Sequence, residues 1–444
     1  MEKAAVTCLC WVPKGKSHPR QAGEDEDADR GRASASGETH MQGLEEFDMD
    51  NYDDDADQGM NLFTVLNSDL ELAKEKDPYI EGDPDSDSGS EAEYDIKADD
   101  QVFMAATCDE DDCTLELFTF DEEDASMYVH HDVMLTAYPL CVEWLSGMAT
   151  TNDGSFAALG LIDHTIQIWD LDDLEPEMPS QCLGPLPKAP KGKKGRRTRG
   201  APSAEAQGMA QAHDGPVLCL HGSPFNRSVL VSGSADQTVK VWDINENSCV
   251  HTYSHHSNKV QCARWHPTEQ AVLLSAAFDR NLALLDVRQP GKAITAPLPA
   301  EAEAAIWSRH RPFECIASGD NGSVVCFDVR KVAAKASEEE YVLWSLQAHD
   351  VACTSVQDCP APDCLVTAGL DGYSKVWKQG GKKPKMVFEK NLKAGPVFCC
   401  MSDPESPALF LFGGQCPVMW DLTSEAILCG AFSLEGQASQ EAAS

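Results

Sequence analysis

AHDGPVLCLHGSPFNRSVLVSGSADQTVKVWD, residues 212–243, decides the fold. It holds a His, His213, near its start. Then come an apolar run (Val217–Leu220), a turn, a second apolar run (Val229–Ser232), a polar turn and a third run ending Val241-Trp242-Asp243. Short β-branched runs bounded by Gly, Pro, Asn and Asp read as strands joined by tight turns.

The last strand of this unit recurs. Aligning on its Trp gives Trp169, Trp242, Leu285, Phe327, Trp377 and Trp420, each followed by Asp except Trp377, which precedes Lys378. The intervals are 73, 43, 42, 50 and 43 residues, and the longest contains a basic insert. Self-similarity at ~40–45 residues with four strands per unit is the signature of a WD-repeat propeller blade. The opening strand VTCLCWVP resembles VQCARWHP (residues 260–267), and Gln101–Cys108 and Cys113–Asp121 supply its next two strands. The fold expected is therefore all-β, a seven-bladed WD40 β-propeller with a long disordered acidic N-terminal insert. Leu422–Phe432 is expected as the outer strand of the last blade. A six-bladed ring with a flanking hairpin is the alternative.

Inside the repeats lies a smaller pattern. A turn Asp six residues before the Trp, a strand hydroxyl four before that Asp and an upstream His can form one hydrogen-bonded chain to the indole N–H. The sets are His213, Ser232, Asp236, Trp242 and His349, Thr367, Asp371, Trp377, with His256, Ser275, Asp279 a third that has Leu285 at the Trp position. A buried carboxylate beside a His is costly unless fully satisfied. These sets are read as structural, because they repeat where an active site would occur once.

The chain of 444 residues has a net charge of −38, and residues 1–100 hold 28 Asp/Glu against 9 Lys/Arg. So dense a charge with few large apolar residues cannot bury enough surface to offset chain entropy. The organisation expected is 1–13, a strand of the first blade; 14–98, an acidic disordered segment; 99–434, the propeller, with a basic loop at 184–211; and 435–444, a disordered tail. The 18 cysteines fall mostly within strands, where Cys serves as a small hydrophobe. Cys359 and Cys364 lack a second pair at zinc spacing, so no metal is expected. There is no signal-peptide core, no run of transmembrane length, no phosphate-cradling Gly-rich loop and no nucleophile elbow. An intracellular, non-enzymatic protein is expected, with no cofactor, membrane or small-molecule substrate.

Two segments suggest partners. Phe47–Asp57 (FDMDNYDDDAD) sets Phe47, Met49 and Tyr52 within acid, either a linear motif for a basic partner or a solvated tail. Ser88 and Ser90 each have Glu three residues on and are candidate phosphorylation sites. The basic loop carries Lys188, Lys191, Lys193, Lys194, Arg196, Arg197 and Arg199. It reads as an import signal, a contact to nucleic-acid phosphates or a solvated loop. It reads as the only strongly basic patch in an acidic protein.

YVHHDVMLTAYPLCVEWL (Tyr128–Leu145), DPYIEGD (Asp77–Asp83), FDMDNYDDD, the opening VTCLCWVP and the Asp-Val-Arg endings at 286–288 and 328–330 resemble the periodic tryptophan protein 1 family over nearly the whole chain. The resemblance implies a scaffold of the nucleus and nucleolus in large-subunit precursor assembly and ribosomal RNA processing. Its partners would be pre-ribosomal proteins and precursor ribosomal RNA. The alternative is a histone-binding chromatin regulator of ribosomal RNA gene transcription; a ubiquitin-ligase adaptor would share only the fold. The chain departs from the family in lacking a Lys/Glu-rich helical stretch after the first strand, and in Gly414, which replaces the last turn Asp.

Overall fold

The computed structural model describes residues 5–17, 96–97, 100–109, 112–121, 126–148, 151–174, 176–184, 212–289, 291–406 and 408–434. The chain divides into a unit of Met1–Gln21 with Ile96–Ser444 and a second of Ala22–Asp95. All described residues belong to the first.

They form a seven-bladed β-propeller of antiparallel sheets. Blade I comprises β1 (Ala5–Val12), β2 (Gln101–Asp109), β3 (Asp112–Asp121) and β4 (Ser126–Leu135). Blade II comprises β5 (Pro139–Met148), β6 (Thr151–Leu161), β7 (Ile166–Asp170) and β8 (Gln181–Leu183). Blade III holds β9 (Val217–Gly222), β10 (Val229–Ser234), β11 (Val239–Asp243) and β12 (Ser248–Tyr253). Blade IV holds β13 (Val260–Trp265), β14 (Val272–Ala277), β15 (Asn281–Asp286) and β16 (Ala293–Pro297). Blade V runs through β17 (Ala302–Trp307), β18 (Glu314–Gly319), β19 (Ser323–Asp328) and β20 (Val342–Gln347), with short helices α1 (Val329–Ala333) and α2 (Glu338–Tyr341) before the last strand. Blade VI runs through β21 (Ser355–Asp358), β22 (Cys364–Ala368), β23 (Tyr373–Lys378) and β24 (Lys385–Asn391). Blade VII has β25 (Cys399–Ser402), β26 (Leu409–Gly413) and β27 (Pro417–Asp421).

β1, β5, β9, β13, β17, β21 and β25 are the inner strands, each packed on the next, and β1 packs on β25 and β26 as well as β5. The Val6 N–H donates to the Gly414 carbonyl at 2.8 Å across that junction. Val6, Leu9 and Trp11 share a core with Phe103, Phe118, Leu409 and Leu411. Closing the ring in this way buries the apolar faces that the first and last sheets of an open stack would expose.

Leu422–Phe432 is not a strand. Asp421 caps a 3-10 turn at Leu422–Ser424, and helix α3 (Ala426–Phe432) follows. Leu428, Cys429 and Phe432 recur at helical spacing and are buried, Leu428 and Phe432 in one cluster with Trp420, Phe410 and Leu392. Such a stripe buries more as a helix than as an alternating strand. Blade VII therefore has three strands among the described residues.

Small residues let the blades approach. Cys141, Cys219 and Cys399 occupy one register position on their inner strands, opposite Gly160, Gly233 and Gly413. A Cβ at Gly233 would lie 2.6 Å from the Cys219 sulfur and 2.8 Å from Cγ1 of Val260 on the next blade. The same trio recurs as Gly160, Cys141, Val217 and as Gly413, Cys399, Val6. Two residues further on, side chains bridge adjacent blades. Glu143 Oε1 accepts the Gly222 N–H at 2.9 Å, and His221 Nδ1 accepts the Trp265 N–H at 3.3 Å.

Candidate functional site: buried networks and a basic rim

In blade III the hydrogen bonds run in one direction. Trp242 Nε1 donates to Ser232 Oγ at 2.8 Å, Ser232 lies 2.7 Å from His213 Nε2, and His213 Nδ1 lies 2.8 Å from Asp236 Oδ2. With Asp236 ionised, His213 is neutral and carries its proton on Nδ1. Burial lowers the His213 pKa against the pull of Asp236. Burial opposes the Asp236 charge, but the hydrogen bonds from His213, Thr238 and the Asp214 N–H outweigh it and hold the carboxyl well below the usual range. Blade VI repeats the chain: Trp377 to Thr367 at 3.0 Å, Thr367 to His349 at 2.9 Å and His349 to Asp371 at 2.8 Å.

Blade IV joins His256 to Asp279 at 3.0 Å and to Ser275 at 2.9 Å. With Leu285 in place of the indole, His255 Nε2 reaches Ser275 Oγ at 3.0 Å and supplies the missing donor. The His255-His256 pair was the sequence signal for this, and reading only the aligned His missed it. Blade II keeps Trp169 but has Leu159 at the hydroxyl position. Trp169 Nε1 donates instead to Gln167 Oε1 at 3.1 Å, and Gln167 donates to Thr136 at 3.1 Å.

Blade V replaces the set as a block with Leu298, Ala317 and Phe327, all buried in one cluster. Only the turn survives, through Asn321 Oδ1 accepting the Ser323 N–H at 2.9 Å. In blade VII Phe410 takes the hydroxyl position and Gly414 the Asp position, and Trp420 Nε1 is buried without a partner among the described residues.

The structure thus brings together each predicted set. Every ring nitrogen of His213, His256 and His349 is engaged within its own blade. Among the described residues no group of three or more His, Cys, Asp or Glu could hold a metal ion. No helix among them is long and apolar enough to cross a membrane. Ser88, Ser90, Lys188, Lys191, Lys193, Lys194, Arg196, Arg197 and Arg199 lie outside the described residues, as do Phe47–Asp57 and 435–444.

Within them is a basic surface that sequence reading passed over. Residues 375–393 hold seven Lys and one acidic residue, Glu389. Lys378 donates to the Ala431 carbonyl at 2.5 Å, and Lys390 pairs with Glu425 at 3.0 Å. Lys382, Lys383, Lys385 and Lys393 are exposed on the loop before β24, its first residue and the turn after it. None of these four ammonium groups makes an ion pair among the described residues. Beside them a concavity of about 370 Å³ between blades V and VI is lined by residues that include Arg311, Glu314, Leu343, Trp344, Gln379 and Lys382. Arg311 is fixed there by Asp363 at 2.6 Å, Gln379 at 3.2 Å and Glu314 at 3.4 Å. The signal was available as a Lys count in a chain otherwise rich in acid.

The WD domain, G-beta repeat model matches residues 207–243, 247–286 and 340–378, which cover the three blade regions carrying the His–hydroxyl–Asp sets. An uncharacterized WD repeat-containing protein of Schizosaccharomyces pombe is 32% identical over 83% of this chain and 71% of its own length. Periodic tryptophan protein 1 of Saccharomyces cerevisiae is 28% identical over 88% of this chain and 77% of its own. U3 small nucleolar RNA-associated protein 15 of S. pombe is 27% identical over 44% of this chain and 37% of its own. A chain in the crystal structure of the mitotic checkpoint complex superposes with a TM-score of 0.52 at 16% identity, covering 72% of this chain and 83% of that one. At that identity the likeness shows the fold alone. The whole-chain matches extend past the repeats to nearly nine-tenths of the sequence, so the chain belongs to the periodic tryptophan protein 1 family of WD-repeat proteins.

Proposed function

We propose that the protein is a non-catalytic WD-repeat scaffold of ribosome biogenesis. It acts in the assembly of large-subunit precursors and in ribosomal RNA processing, in the nucleus and nucleolus. Its partners are pre-ribosomal proteins and precursor ribosomal RNA. Family membership across most of the chain is the observation that carries this reading, and a partial relative named for the U3 small nucleolar RNA agrees with it. The networks support a scaffold rather than a catalyst. Each His, hydroxyl and carboxylate is committed to its blade, and the arrangement recurs three times where reactive chemistry needs one exposed centre.

The test is gradient sedimentation of a nuclear extract with and without nucleases. Migration with large precursor particles that collapses on RNase treatment is expected. A position insensitive to RNase but lost with DNase would replace this reading with the chromatin and histone one.

A further inference from the structure

We propose that the basic rim of blade VI and the adjoining concavity form a contact for single-stranded RNA. Lys382, Lys383, Lys385 and Lys393 hold the phosphates, and one unstacked base enters between blades V and VI. This names an RNA surface for the ribosomal role proposed above and rests on that reading for its biological setting.

The lysines need an explanation beyond solubility. Lys on an outer strand often serves to block edge-to-edge pairing. Yet β4, β8, β12, β16 and β20, the outer strands of the first five blades, contain no Lys or Arg at all. Those five strands go without it, so edge protection does not account for a concentration in blade VI. In a protein of net charge −38, a strip with seven Lys and one Glu is a local reversal of field. Phosphates gain most from such a strip when its ammonium groups lack internal carboxylate partners, as these four do.

The concavity distinguishes RNA from a simple polyanion. Single-strand binders join a basic track for the backbone to a platform on which a base stacks. Here the exposed Leu343 and an edge of the largely buried Trp344 give an apolar wall, while Gln379, the anchored Arg311 and Glu314, whose carboxylate is paired with Arg311, give polar groups at its edge. Lys382 belongs to both the strip and the concavity, so a phosphate on it leaves its own base beside the opening. A polyanion of carboxylates alone would use the charges and leave the wall unfilled.

The experiment uses the full chain and a mixed-sequence 12-nucleotide single-stranded RNA followed by fluorescence anisotropy from 50 to 200 mM salt. Each phosphate contact on a single strand contributes about 0.7 to the slope of log affinity against log salt. The triple variant Lys382→Ala, Lys383→Ala, Lys385→Ala should lose about 2 from that slope and about tenfold or more in affinity near 150 mM salt. The variant with Arg at the same three positions should keep both. These side chains are exposed, and an unchanged melting curve would confirm an intact ring. Slope and affinity unchanged in the Ala variant would overturn the proposal. So would loss of polyglutamate binding with RNA binding retained, an outcome assigning the rim to acidic peptides. Wild-type migration with precursor particles alongside an unchanged slope would sink the rim contact and leave the ribosomal reading standing. Rim-dependent RNA binding without such migration would do the reverse.

Discussion

Trp242 in blade III and Phe327 in blade V occupy the same register, and the difference between them shows how a buried polar chain is lost. Removing one member strands the rest, at about 1–3 kcal/mol for an unsatisfied buried group, whereas replacing the whole set by apolar residues can be nearly neutral. Blade V shows the completed replacement, with Leu298, Ala317, Asn321 and Phe327. His213→Leu alone is therefore expected to cost about 1–3 kcal/mol in denaturant unfolding, because Asp236 and Ser232 lose their shared partner. The quadruple variant His213→Leu, Ser232→Ala, Asp236→Asn, Trp242→Phe is expected to melt closer to the unsubstituted protein than that single variant does. Additive losses across the four would contradict the account. The three His–hydroxyl–Asp sets were legible because their offsets repeat. The donors of His255 and the acceptor of Trp169 were not, since each repairs a departure from the repeat by a contact with no fixed offset.

Between elements, the bond from Glu143 on β5 to the Gly222 N–H of β9 joins two blades through a titrating group. Burial raises the Glu143 pKa to about 7, more than the Gly222 hydrogen bond and the Arg264 charge lower it. A carboxyl whose folded pKa lies above its unfolded value gives stability that is full below the unfolded value of about 4.5. That stability is lost as pH rises toward and through 7. Glu143→Gln keeps the acceptor oxygen and removes the charge. It should be near neutral at pH 4.5 and stabilising by about 3 kcal/mol at pH 8, read from melts at both pH values. A constant difference across that window would refute the assignment. At this scale the sequence showed the strands well, β1 included, because alternating apolar runs between turns leave few other readings. It misread α3 as a strand: seven residues rich in apolar side chains suit either period, and only the core offered by Trp420 and Phe410 decides between them. The basic rim was legible as seven lysines within residues 375–393, but the concavity beside them is made only by the fold.

For the molecule as a whole, the junction of blades VII and I is where the ring closes, and β1 is its keystone. β1 pairs with β2 from Val12 opposite Val102 to Ala5 opposite Cys108, and packs on β25, β26 and β5. A truncation beginning at residue 90 should therefore expose β2 and β26, lower the melting temperature and self-associate on size exclusion. If it stays monomeric and melts like the full chain, β1 contributes nothing to the ring. The period alone marked six blades, and the seventh was legible only through the likeness of VTCLCWVP to VQCARWHP. The partners of residues 18–95 in solution were not, because an acidic composition specifies charge without register.

The long separation between β1 and the strands that hold it also has a consequence in time. At about 5–20 residues per second, the ribosome finishes β26 roughly 20–80 seconds after β1 has been made. For that interval Val6-Thr7-Cys8-Leu9-Cys10-Trp11-Val12 is an apolar strand without its final neighbour. Synthesis of this protein therefore makes its own demand on chaperones: something must shelter a strand at one end of the nascent chain until the other end arrives.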